Sequence, residues 1–377
     1  MTRILALLVT INVLPAGAAA EPAAPAAAVS TGAAKGAAKK PERLPPQTEF
    51  PGEPDPTRIK WLRSLANRND LRGRKPGLFS DFMDALLGSD SKSDILDRPY
   101  GIALDAKGRI YVTDTGTGRL HILDPGAGKA KSLEGSGDFA LTSAVGVAVD
   151  PAGNVYVSDS ADNSVKAFGP DHKPRWRADR LGTVAGELNR PTGLAWSPRG
   201  ELVVIDSGNH RLAAFSPEGK FLRAFCQGGK DVGALSLAAN IWAEADGTLV
   251  VSDPVAARVH LFTSTGAFIS GFGEAGDSAG YMARPRGVAS DSDGNIYVVD
   301  AVFSRVQMFD RQGQLLMYFG APGGRSAEFG MPAGIAIDPT DRVYVVDGNN
   351  SRVQVFQYLK VPASAYEVPA SSEPAKK

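Results

Sequence analysis

Residues 287–310 read GVASDSDGNIYVVDAVFSRVQMFD, and this stretch decides the fold. It holds three short runs that are typical of β-strands, at 287–291, 295–300 and 305–310, and a fourth run follows at 314–319. Asp293 and Gly294, between the first two runs, form a strong signal for a tight hairpin. The stretch therefore predicts a small antiparallel sheet of four strands.

The same pattern occurs six times along the chain. An aspartate closes the second run of each copy, with a first spacing of 45 residues and then spacings of 47: Asp114, Asp159, Asp206, Asp253, Asp300 and Asp347. A column of large apolar residues keeps the same register: Leu123, Phe168, Phe215, Phe262, Phe309 and Phe356. One four-stranded sheet cannot bury both of its faces, but six sheets arranged radially can. We therefore predict an all-β protein, a six-bladed β-propeller of four-stranded antiparallel blades.

The composition narrows the function classes. The chain has 377 residues with 41 Lys plus Arg and 41 Asp plus Glu, so its formal net charge is zero, which argues against nucleic-acid binding. The single cysteine, Cys226, excludes an internal disulfide framework and a zinc ribbon. Four histidines offer little for a histidine-based metal centre. We expect no cofactor and no bound metal.

Both ends of the chain differ in character from the repeats. Residues 1–20 resemble a signal peptide, with Arg3, an apolar run at 4–14 and small residues up to Ala20, near which we expect cleavage. An uncleaved anchor is the alternative. This predicts a periplasmic or secreted protein with no integral membrane segment after cleavage. Residues 21–56, rich in Ala and Pro, and residues 361–377 are predicted to be a disordered linker and tail.

The propeller is predicted to span residues 57–360, and its first part supplies two extra elements. The sixth copy has only three clear strands, and residues 57–66 alternate polar with apolar, so we expect them to form its outer strand. An insert at 67–97 precedes the blades at 98–360. Apolar residues recur at Leu78, Phe82 and Leu86, which predicts an amphipathic helix over 78–87. That helix is either a packed lid or a docking element for a partner.

Several short motifs resemble the NHL-repeat family of β-propellers. Residues 207–212 read SGNHRL, residues 347–353 read DGNNSRV, and residues 329–332 read FGMP before a new blade. Residues 98–102, RPYGI, are similar to the start of the first blade in exported bacterial six-bladed propellers. The resemblance implies the fold, but NHL propellers include RNA binders, protein scaffolds and enzymes, so it implies no single activity.

The six aspartates invite two interpretations. A carboxylate before a turn can accept backbone N–H groups or pair with an arginine at the start of the third strand. Arginines stand at that position in every copy except the second, which has Ser164: Arg119, Arg211, Arg258, Arg305 and Arg352. One aspartate at one point of every repeat favours a structural role, the alternative being a catalytic pair.

Departures from the repeat are better guides to function. Arg98, Arg190 and Arg284 precede the inner strands of blades one, three and five. Tyr100 lies two residues after Arg98 in blade one, and Arg286 lies two residues after Arg284 in blade five. Such a cluster at the channel mouth predicts binding of an anionic group, the alternative being arginines that pair with the backbone or with carboxylates of a neighbouring blade.

Blade four departs in another way. Asn240 replaces Gly, Trp242 replaces Ala and Glu244 replaces Asp. Asn240 is therefore a further candidate ligand-binding residue. We interpret Trp242 as a filler between blades, although on an innermost strand it could instead narrow the channel.

The sequence thus predicts an exported, monomeric binding or scaffold propeller without catalytic residues. We expect it to recognise a protein or peptide on the face that carries the inter-blade connections. The alternative is a metal-dependent lyase or lactonase-like enzyme with its site in the central channel, where Asn240 and Glu244 are the only irregular polar candidates.

Overall fold

The structure is a computed structural model, and it describes residues 47–52, 55–72, 95–226 and 233–360. Six antiparallel sheets succeed one another along the chain. The predicted fold, a six-bladed β-propeller, is confirmed.

Each of the first five blades is a meander of four strands, in which chain order is also the order from the axis outward. Their bounds are Pro99–Leu104, Ile110–Asp114, Arg119–Asp124 and Lys129–Leu133 in blade one; Ala144–Val149, Val155–Asp159, Ser164–Phe168 and Pro174–Ala178 in blade two; Pro191–Ser197, Glu201–Asp206, Arg211–Phe215 and Phe221–Phe225 in blade three; Asn240–Ala243, Leu249–Asp253, Arg258–Phe262 and Phe268–Phe272 in blade four; and Pro285–Ser290, Ile296–Asp300, Arg305–Phe309 and Leu315–Phe319 in blade five. Blade six contains Pro332–Ile337, Arg342–Asp347 and Arg352–Tyr358.

The core is divided among the interfaces between blades. Six clusters of buried apolar side chains each draw on two neighbouring blades. Glycines on the inner strands let the blades approach the axis. A Cβ on Gly101 would lie 2.3 Å from the carbonyl oxygen of Val145, and a Cβ on Gly146 would lie 2.1 Å from that of Thr192. The inner-strand glycine found in five of the six blades is therefore a packing requirement.

The ring is closed by a strand from the beginning of the described chain. Ile59–Leu65 pairs antiparallel with Arg352–Tyr358 and is the fourth strand of blade six, the position predicted for residues 57–66. Ile59 and Leu65 are buried, and the indole of Trp61 donates a hydrogen bond to Gln354 Oε1 at 3.0 Å. Two distant parts of the chain thus form one blade.

The predicted linker boundary at residue 56 was wrong. Glu49–Phe50 is already a strand, paired with the closing strand and placed at the edge of blade six. Phe50 is buried and lies 6.0 Å from Phe319, ring centre to ring centre. The burial of this one aromatic side chain accounts for the order of the segment.

A short helix, Arg68–Leu71, follows the closing strand and begins with a capping box between Asn67 and Asp70. Leu71 joins the cluster between blades six and one.

The other small elements are 3₁₀ helices at Gly137–Phe139, Ser207–Asn209 and Gly348–Asn350. Two further short strands, Ala321–Pro322 and Glu328–Phe329, pair in parallel. The helix predicted at 78–87, the signal peptide and the tail lie outside the described residues. No helix in the described part could span a membrane.

Candidate functional site

The two ends of the propeller axis carry different loops. The turns between second and third strands lie on one face together with the connections between blades, and we call this the connection face. The hairpins between first and second strands lie on the opposite, hairpin face. The candidate residues before the inner strands therefore belong to the connection face.

The repeated aspartates build the connection face. The carboxylate of Asp114 accepts hydrogen bonds from the backbone N–H groups of Asp97 at 2.7 Å, Arg98 at 3.1 Å, Gly116 at 2.9 Å and Thr117 at 3.0 Å. It therefore joins the segment before the inner strand to the turn after the second strand. Burial raises the pKa of Asp114, but these N–H groups outweigh burial and leave it below its ordinary value. The contacts are those of a structural carboxylate.

The predicted arginine partners of the aspartates are correct in only two blades. Arg211 pairs with Asp206 at 2.8 Å, and Arg352 pairs with Asp347 at 2.7 Å. The other three arginines at this position have different partners: Arg119 pairs with Glu134 at 2.9 Å, Arg258 donates to the carbonyl oxygen of Gly271, and Arg305 donates to that of Ser278. In blades three and six the connection offers carbonyl oxygens that hold the guanidinium beside the aspartate.

Blade two replaces the arginine with a buried lysine further along its third strand. Lys166 is fully buried, and its Nζ lies 2.9 Å from Asp159 and 2.6 Å from Asp162. It also donates a hydrogen bond to the carbonyl oxygen of Ala140. The lysine thus compensates the buried charge of Asp159 in the one blade without an arginine.

The aspartates also hold the backbone of the candidate arginines. The N–H of Arg284 donates to Asp300 at 3.2 Å, as that of Arg98 does to Asp114. The N–H of Arg190 donates instead to Asn163 Oδ1, on the turn of the preceding blade, at 2.8 Å. All three side chains are exposed. The structure therefore places them on one face, on alternate blades of the ring.

Tyr100 and Arg286 meet across the mouth of the channel. The guanidinium of Arg286, on blade five, lies 5.5 Å from the centre of the Tyr100 ring, on blade one, so the pair spans the blade between them. Burial lowers the pKa of Arg286, and the charge of Arg284 lowers it further against the opposing effect of Tyr100. Within the described ranges, no carboxylate forms an ion pair with Arg190, Arg284 or Arg286. Arg98 lies 4.0 Å from Asp97.

Exposed apolar side chains accompany the arginines on the connection face. They stand before the inner strands of blades four and six and on the turns of blades four and five: Leu237, Met331, Val255 and Val302. Val255 is 67% exposed, and Val302 is 57% exposed. Leu237 and Met331 stand in the same column of the repeat as the arginines, whereas the two valines have no distinctive spacing in the sequence.

Blade four shapes the channel itself. Asn240 and Trp242 line an axial cavity of about 400 Å³, so the structure separates Asn240 from the exposed arginines. Trp242 packs against the core clusters of three interfaces, between blades four and five, five and six, and six and one. The Trp242 side chain therefore narrows the channel, which is the alternative to the predicted filler between blades. Glu244 pairs with Arg311 at 2.7 Å.

The remaining titratable candidates lie away from this cavity. His121 and His260 are buried within third strands, His210 is exposed on a turn, and His172 lies in a hairpin. Burial raises the pKa of the Cys226 thiol to about 12. Among the described residues, no three His, Cys, Asp or Glu side chains form a group that could hold a metal ion.

The NHL repeat family model matches residues 96–123, 141–168, 188–215 and 329–356, which lie in blades one, two, three and six. No curated protein sequence matches the chain.

Solved propeller structures share the fold at low identity. Virginiamycin B lyase from Staphylococcus aureus is 13% identical with a TM-score of 0.52, over 80% of this chain and 100% of the lyase. A catalytically inactive histidine-to-alanine variant of that lyase, with quinupristin, is 15% identical with a TM-score of 0.50, over 70% of this chain and 95% of the lyase. A protein of unknown function from Bacteroides thetaiotaomicron is 17% identical with a TM-score of 0.56, over 70% of each chain. These likenesses concern the fold alone.

Proposed function

Because the chain is a six-bladed β-propeller that carries NHL repeats, we propose that it is a non-catalytic binding module whose connection face recognises an acidic segment of a partner protein. The proposal includes export to the periplasm or the exterior and a monomeric state, both of which rest on the sequence.

One observation carries the proposal: Arg190 and Arg284 are exposed on one face, and within the described part of the chain neither has an ion-pair partner. Arginine binds carboxylates in a planar, bidentate manner and is enriched at protein interfaces. Asp300, which holds the backbone of Arg284, already accepts several N–H groups, so it leaves the Arg284 guanidinium free for a partner.

The apolar residues of the connection face define the partner further. Four exposed apolar residues follow or separate the arginines as the chain passes round the ring: Leu237, Val255, Val302 and Met331. Exposed apolar side chains next to unpaired charges are typical of recognition surfaces. We therefore expect a partner segment that alternates acidic and apolar side chains.

Lyase chemistry finds less support. The Staphylococcus aureus lyase loses activity when one histidine is replaced by alanine. In the described part of this chain, no histidine lines the axial cavity, and its carboxylates at Asp105, Asp150 and Asp338 accept hydrogen bonds within their own hairpins. Metal analysis of the purified protein separates the two functions, since a tightly bound stoichiometric divalent ion would favour the enzyme.

Affinity capture with matched charge variants tests the proposal. The mature chain, an Arg190→Ala/Arg284→Ala variant and a Lys107→Ala/Lys220→Ala variant are each immobilised and exposed to the exported fraction of the source cells. Both variants lose two positive charges, but Lys107 and Lys220 lie on the hairpin face. We expect the arginine variant to retain about tenfold less of the captured partner than the parent or the lysine variant. Equal loss from both variants would reject the connection face.

A further inference from the structure

One column of the repeat is broken at the axis. The position two residues after the inner-strand glycine is alanine in five blades, and in blade four it is Trp242: Ala103, Ala148, Ala195, Ala289 and Ala336 are the others. The indole extends past the inner strand of blade five and reaches the clusters that involve blades six and one. Trp242 therefore occupies the part of the channel in front of blade five.

The space that remains is a cavity along the axis of the ring. The inner strands of blades one, two, three, four and six line it, and its volume is about 400 Å³. Its lining runs from the glycine level to the hairpin prolines Pro151 and Pro339, so it opens on the hairpin face. Towards the connection face, the pair of Arg286 and Tyr100 spans the mouth.

The walls of this cavity are apolar and aromatic. Ile102, Val147, Leu194 and Ile335 line it together with two tryptophans. The second tryptophan, Trp196, stacks on Tyr156 with ring centres 5.5 Å apart and an angle of 10° between the planes. This stacking fixes the orientation of one aromatic wall before any ligand binds.

Asn240 adds one polar group to the walls. It stands where the other five blades have glycine, and a Cβ at those glycines would collide with the neighbouring blade. Within the described residues, its backbone bonds with Ser252, and its side-chain amide forms no hydrogen bond. The amide is therefore available to a ligand as both donor and acceptor.

The mouth on the hairpin face disfavours anions. The carboxylates of Asp105, Asp150 and Asp338 surround it. Tyr156 donates a hydrogen bond to Asp150 at 3.0 Å, and Tyr344 donates one to Asp338 at 3.1 Å. Among the described residues, Asp105 is the one of these three that forms an ion pair with an arginine side chain, that of Arg109, at 2.6 Å.

We propose that the axial cavity binds a neutral, largely apolar small molecule that contains an aromatic ring. The ring lies against Trp242 and Trp196, and a carbonyl or hydroxyl group of the ligand hydrogen bonds to Asn240. The volume lies within the range of small-molecule sites, and walls from five blades suit a free molecule rather than an extended peptide. The cavity is separate from the connection face, so this proposal can be tested independently of the proposed function.

Fluorescence titration with two dyes tests this assignment on the full chain. Nile red is planar, uncharged and carries a carbonyl group, whereas anilinonaphthalene sulfonate is anionic. We expect saturable binding of one Nile red per chain with quenching of tryptophan emission, and at least tenfold weaker binding of the anionic dye. Equal affinity for both dyes would overturn the proposal.

Variants locate the dye. Val149 lines the cavity, is half-buried and forms no side-chain polar contact, so Val149→Trp should fill the site and weaken Nile red binding at least tenfold. Asn240→Gly, which restores the repeat, should weaken it a few-fold while circular dichroism shows an intact fold. Arg190→Ala/Arg284→Ala is the control and should leave dye binding unchanged. Unaltered binding by both Val149→Trp and Asn240→Gly would place the dye elsewhere and overturn the proposal.

Discussion

Replacement of one side chain in the closing strand should destabilise the whole ring. Ile59 has no exposed surface and packs in the cluster between blades five and six, beside Phe356 and Tyr358. Ile59→Ala removes three buried carbon atoms and leaves a cavity in that cluster. We expect a loss of about 3 kcal/mol in the free energy of unfolding, within the range for such core truncations.

The loss can be measured as a shift in the midpoint of thermal unfolding. For a domain of this size, about 3 kcal/mol lowers the midpoint of thermal unfolding by roughly 4–6 °C. Circular dichroism at a β-sheet wavelength follows the transition, and calorimetry measures its enthalpy. Deletion of residues 57–66 should have a larger effect, because the third strand of blade six would become an open edge.

A matched substitution isolates the role of ring closure. Ile269 lies on the outer strand of blade four, the place that Ile59 takes in blade six, but it is 50% exposed. Ile269→Ala should therefore lower the midpoint by no more than about 2 °C. An Ile59→Ala protein that unfolds within 1 °C or so of the parent, or like Ile269→Ala, would refute the reasoning.

Three further predictions concern buried polar groups. Lys166→Ala leaves Asp159 buried without its partner and should cost about 3–5 kcal/mol in urea unfolding, whereas no measurable cost would refute the ion-pair account. Burial lowers the pKa of His260 below its ordinary value of 6.5, against the opposing effect of Asp253. The stability that depends on neutral His260 is therefore present above about pH 6.5 and is lost as the pH falls through the lowered pKa. The free energy of unfolding of His260→Phe should fall less than that of the parent between about pH 7 and pH 5. Equal losses in the two proteins would contradict this prediction. Cys226, with its pKa raised to about 12, should react with iodoacetamide at about pH 8 far more slowly in the folded than in the urea-unfolded protein, as mass spectrometry would show.

The six-bladed ring could be predicted from the sequence because each of the six repeats carries the same pattern of residues. Aspartates, glycines and aromatic residues in one register specify blades, and the missing fourth strand of the last copy pointed to residues 57–66. Glu49–Phe50 escaped prediction because two residues are too few to show alternation. Its order comes from Phe50, whose burial beside Phe319 depends on tertiary structure.

Side-chain direction was the harder problem. The repeat places five arginines in one column, but carbonyl oxygens of the connections determine that only Arg211 and Arg352 pair with the aspartates. Trp242 was recognised as a departure, yet a sequence does not tell whether a large side chain enters an interface or the channel. That choice depends on the space in front of blade five, which only the structure gives.

Hydrogen exchange of the complex with the captured partner tests the recognition surface most directly. Free and bound protein are compared by mass spectrometry of peptic fragments. Our account predicts slower exchange on binding in the segments around Arg98, Arg190 and Arg284, with little change in the hairpins around Lys107 and Lys220. Protection confined to those hairpins, or to the outer strands of the blades, would contradict it.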